Sequence, residues 1–81
     1  MGKVVEFMRH CLSCYMMPLS WGIYDIRVSN SSMCFFVNGS KYQGEVMIKE
    51  CNKKIIVWLA SYEAVFLDVA EALRWLDNKI E

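Results

Sequence analysis

The stretch His10-Cys11-Leu12-Ser13-Cys14 brings together the residue types most capable of chemistry in this chain. Two cysteines three positions apart, beside a histidine, suit zinc sites and thiol redox motifs. A tetrahedral zinc site needs four ligands, and the remaining strong donors, Cys34 and Cys51, are isolated from each other. The residues around the pair read as one amphipathic helix, with Cys11 inside its apolar arc, where a core thiol sits. A redox pair would instead follow a strand and sit at a helix N-terminus, which lowers a thiol pKa. No metal or other cofactor is therefore expected.

His10 is the only histidine. On a helix its neighbour Cys11 points about 100° away, so the two make a poor acid–base and nucleophile pair. No Gly-x-Ser-x-Gly elbow and no glycine-rich phosphate loop occurs in the chain. The carboxylates Glu63, Asp68, Glu71 and Asp77 fall in one C-terminal stretch that reads as a solvated helix face. Nothing isolates a carboxylate pair, and the chain is expected not to be an enzyme.

Lysines and aromatics offer a different chemistry. Lys49, Lys53 and Lys54 cluster near one predicted turn, and Lys41 with Tyr42 lies one hairpin earlier. Basic residues beside aromatics on a sheet bind single strands by stacking and phosphate contact. Lysines at turns and sheet edges also guard against aggregation. Nine Lys+Arg balance nine Asp+Glu, and this zero net charge weighs against a nucleic-acid clamp.

The elements that must position these residues follow from periodicity. Lys3 to Met17 reads as a helix ended by Pro18, with Phe7, Cys11, Val4, Leu12 and Met8 on one side and Arg9, Ser13, Glu6 and His10 on the other. Trp21 to Ser29 alternates as a strand, with Tyr24, Ile26 and Val28 on one face and Asp25 and Arg27 on the other. Met33 to Asn38 is a second strand. Asn38-Gly39 signals a short hairpin because both residues tolerate positive φ. A third strand lies between Lys41 and Cys51, with Gly44 a candidate bulge. Asn52-Lys53 turns again, and Lys54 to Ala60 is a fourth. Ser61 reads as an N-cap, with Glu63 in the first turn of a helix from Tyr62 to Ile80. The predicted fold is α+β in the order α-β-β-β-β-α, a four-stranded antiparallel meander flanked by an N-terminal and a C-terminal helix.

With 81 residues the chain is expected to form one domain, residues 1–81. Hydrophobic residues make up 56%, which excludes a disordered chain. Charged residues make up 22%, low for so small a domain, whose surface is large relative to its volume. The apolar surplus points to self-association. Two strands have apolar residues on both faces: Ile55, Val57 and Leu59 against Ile56 and Trp58, and Met33, Phe35 and Val37 against Cys34 and Phe36. Both sheet faces are thus expected to be at least partly covered, by the two helices or by a partner. The C-terminal helix has a second stripe, Leu67, Ala64 and Trp75, that reads either as a core edge or, favoured here, as a contact surface.

The expectation is a small soluble interaction or regulatory module, non-catalytic and homodimeric. Leu67, Trp75 and Trp58 are its candidate anchors. The alternative is a single-stranded nucleic-acid binder using Lys41, Tyr42, Lys49, Lys53 and Lys54. Glu6 and Arg9 break any leader-like apolar run, and no run is long enough to cross a membrane. A cytoplasmic location is expected, with the four cysteines as thiols. Asn30-Ser31-Ser32 and Asn38-Gly39-Ser40 match the glycosylation acceptor pattern but are read as turns.

Overall fold

A computed structural model describes residues 21–29 and 31–81 of the chain. Five strands, β1 (Tyr24–Val28), β2 (Ser32–Asn38), β3 (Gln43–Cys51), β4 (Lys54–Leu59) and β5 (Tyr62–Phe66), precede one helix, α1 (Val69–Ile80). The strands form a single sheet in the order β1-β2-β3-β4-β5, each antiparallel to the next.

This overturns the expected α-β-β-β-β-α arrangement. The helix expected over Lys3 to Met17 lies outside the described residues, together with His10, Cys11 and Cys14. The described architecture is five strands and one C-terminal helix. The expected helix from Tyr62 to Ile80 is also two elements. Tyr62 to Phe66 pairs with β4 as a strand, Leu59 opposite Tyr62 and Ile55 opposite Phe66. The N-cap position is Asp68 rather than Ser61, and the Asp68 side chain makes no capping hydrogen bond. Asp68 is extended (φ −133°, ψ 135°), and its carbonyl accepts the Ala72 N–H at 3.2 Å. Its carboxylate and that of Glu71 sit at the positive end of the helix dipole, and Lys79 at the negative end.

Alternation along the strands places the core. Met33, Phe35 and Val37 of β2, Val46 and Ile48 of β3, and Ile55, Val57 and Leu59 of β4 are all buried on one face. On α1, Val69, Ala72, Leu76 and Ile80 recur at helical spacing and close over that face. Full burial of each large aliphatic contributes about 2 kcal/mol. Trp21 joins this core at 1% exposure.

The connections differ in how they achieve tightness. At Asn52 and Lys53 both φ values are positive (50° and 65°), which matches the right-handed strand twist in a two-residue hairpin. The β2–β3 connection is longer than expected, because Asn38 pairs with Gln43. Gly39 does not take positive φ there. It is needed instead for close approach: a Cβ would run into the carbonyl oxygen and Cγ2 of Ile80. Gly44 has φ 149° but the β2–β3 register runs unbroken past it, so it is not a bulge. The bulge lies in β1, at Asp25 with φ 54°: Tyr24 opposes Phe36 while Arg27 opposes Cys34. Tyr24 and Arg27 therefore share a face, against the strict alternation expected for that strand.

Candidate functional site

The sheet face away from α1 carries the features that stand out chemically. Register fixes what lies beside what. Cys34, Met47 and Trp58 form one cross-strand row, continued by Glu63 at the β5 edge. Next to it Ser32, Lys49, Ile56 and Val65 form a second row. On the other side Phe36 opposes Glu45. Adjacent strands lie about 4.8 Å apart, so each row is a continuous ribbon of side chains.

This face is half apolar and open. Met47, at the middle of the central strand, is 42% exposed, and Val65 is 54% exposed. Tyr24 stacks on Phe36 with ring centroids 5.5 Å apart and planes 23° from parallel. Phe36, Ile56 and Trp58 are half-buried. No described element lies across them. A shallow depression is lined by Tyr42, Glu45, Met47, Trp58 and Ala60. Its polar rim is Glu45, whose backbone carbonyl accepts the Tyr42 hydroxyl at 2.8 Å.

No family model, curated protein or solved structure matches this chain.

The structure distributes the expected contact residues unevenly. Trp58 lies at the centre of the open face. Leu67 is 67% exposed, on the link between β5 and α1 rather than on a helix stripe. Trp75 is half-buried on α1. It packs on Phe66 at 5.7 Å between centroids, and the Lys79 ammonium lies 5.8 Å from its ring and 4.7 Å from that of Tyr62. Trp75 thus closes the edge of the core, while Trp58 faces outward.

The lysines do not converge. Lys53 and Lys54 stand at one end of β3 and Lys41 beyond the other, about 25 Å away along the strand. The Lys41 backbone N–H donates to the Ile80 carbonyl at 2.9 Å, and its ammonium to the Asn78 carbonyl at 3.3 Å, so it serves the end of α1. Lys49 alone of the four faces outward at the middle of the sheet. Tyr42 fills space beside the core and the depression. Among the described residues Cys34 and Cys51 are free thiols on separate rows, and no group of three or more metal-ligating side chains occurs. No described helix is long and apolar enough to cross a membrane.

The open face itself was only partly foreseen. The two-sided apolar pattern of β2 and β4 predicts an apolar second face, but one at least partly covered by a helix or a partner, and no described element covers it. The depression depends on the Met47–Trp58 register and on the β4–β5 turn at Ala60, which periodicity alone does not supply.

Proposed function

We propose that this domain is a non-catalytic interaction module that self-associates through the open face of its sheet. One observation carries the reading: Met47, Trp58, Phe36 and Tyr24 form an apolar surface that runs from β4 to the β1 edge, where no described element covers them. Small domains rarely leave such a surface wet, and burying it against a partner is favourable. Trp and Tyr suit the role, because they bury large area with few rotors. The domain acts as a homodimer in this reading, in the cytoplasm, where Cys34 and Cys51 stay reduced.

Sedimentation equilibrium of the full chain tests it. A dimer that Trp58→Ala weakens supports the reading; a monomer at every concentration refutes it. Single-stranded nucleic-acid binding is the competing reading. It requires affinity for a labelled oligonucleotide that falls steeply with salt. The alternation of Glu45 and Glu63 with Arg27 and Lys49 on the same face gives it less support.

A further inference from the structure

We propose that the occupant of the open face is a second copy of this chain, related by a two-fold axis that crosses β3 at Met47. In this pair Lys49 of each copy seats against Glu45 of the other, in the depression beside Trp58. The inference rests on the self-association reading and adds the partner, its orientation and the contacts that select it.

Glu45, Met47 and Lys49 occupy alternate positions of β3, all exposed on the open face. Residues two apart along a strand are separated by about 6.7 Å. Glu45 and Lys49 therefore stand about 13 Å apart within one chain, too far to pair, and neither has an ion-pair partner among the described residues. They flank Met47 symmetrically with opposite charge.

Two sheets stacked face to face are related by a two-fold axis lying in the plane between them. An axis along the strands puts Glu45 over Glu45 and Lys49 over Lys49, which is repulsive. An axis across the strands lays β3 antiparallel over its copy. It sets Met47 on Met47, Trp58 on Trp58, and each Lys49 over a Glu45. Charge complementarity selects the second arrangement.

Shape agrees with charge. Sheets pack about 10 Å apart, a gap that a lysine stem spans more readily than a glutamate. The depression that receives the ammonium lies on the Glu45 side of Met47, where Ala60 is small and Tyr42 and Trp58 form the walls. An ammonium beside a carboxylate and over an aromatic face gains from both. The same axis brings Arg27 near Arg27 and Glu63 near Glu63. Those residues sit on the two edge strands, in the rim, where water and salt screen like charges.

The test is sedimentation equilibrium of the full chain with charge reversals at exposed positions, folding being checked by circular dichroism. Glu45→Lys and Lys49→Glu are each expected to raise the dimer Kd about tenfold or more, and the double reversal to bring it back near wild type. Total tryptophan emission is expected to shift red on dilution into monomer, and the shift to be absent from Trp58→Phe. A dimer weakened by Trp58→Ala but indifferent to the reversals, or one the double variant does not rescue, overturns this arrangement and leaves open-face association standing. A dimer indifferent to Trp58→Ala as well overturns both. A chain that stays monomeric also overturns both.

Discussion

The indole Nε1–H of Trp21 donates to the Asp77 carboxylate at 2.9 Å, across 56 positions of sequence. This bond ties the segment leading into β1 to the last turns of α1. It also gives the one polar atom of a ring that is 1% exposed a partner. Losing a partly buried, charge-assisted hydrogen bond costs about 1–2 kcal/mol. Asp77→Ala is expected to lower unfolding stability by that amount, and Asp77→Asn, which keeps an oxygen acceptor, by less. Urea denaturation of both variants checks this. Equal losses would show that the carboxylate charge, not the hydrogen bond, carries the effect.

Gly39 is expected to tolerate no side chain. It is buried where the β2–β3 connection crosses the end of α1. There the Ile80 carbonyl accepts the backbone N–H of Lys41 at 2.9 Å and of Tyr42 at 3.4 Å, so the connection satisfies a helix end that would otherwise lack partners. A methyl group at Gly39 pushes the two apart. Gly39→Ala should cost about 2–3 kcal/mol, the scale of overpacking. A melting temperature equal to wild type would mean that the contact yields at no cost.

Four of the five strands are legible, because their apolar residues recur at two-residue spacing and an asparagine lies in or next to each break between them. β5 is not. The two residues between Leu59 and Tyr62 are Ala60 and Ser61, without the glycine, proline or asparagine that most strongly marks a turn. Val65 and Phe66 also extend the helical arc of Val69, Ala72, Leu73 and Leu76, and Ser61 with Glu63 imitates a helix start. Asp68 with Glu71 three residues later was the better cap signal. Gly39 illustrates the opposite case: the hairpin was foreseen, but for a positive φ that the residue does not adopt. Glu45 and Trp58 share a depression only because β3 and β4 pair in one register, and a strand read alone has none.

Ala60 is a place where the chain can be improved. Its φ is 55°, a left-handed conformation that costs an L-residue about 1–2 kcal/mol. Glycine avoids that cost but loses some of the gain to its freer unfolded chain. Ala60→Gly is expected to raise stability by about 0.5–1 kcal/mol, read from the denaturation midpoint at unchanged slope. A loss of stability would show that the methyl group has a packing role that outweighs its strain.

Leu67 and Trp75, expected together as anchors of one surface, should behave differently. Trp75 packs on Phe66 with the Lys79 ammonium near its ring, and its removal opens the seam between α1 and β5. Trp75→Ala should cost about 2 kcal/mol, below the 3–5 kcal/mol typical of a fully buried ring. Leu67 is 67% exposed, so Leu67→Ser should change stability by less than about 0.5 kcal/mol. The pair of variants separates two surfaces. If the open face carries association, Leu67→Ser leaves the dimer Kd unchanged. If Leu67→Ser weakens the dimer while the fold stays intact, the contact runs along the β5–α1 link, and Trp58→Ala should then be silent.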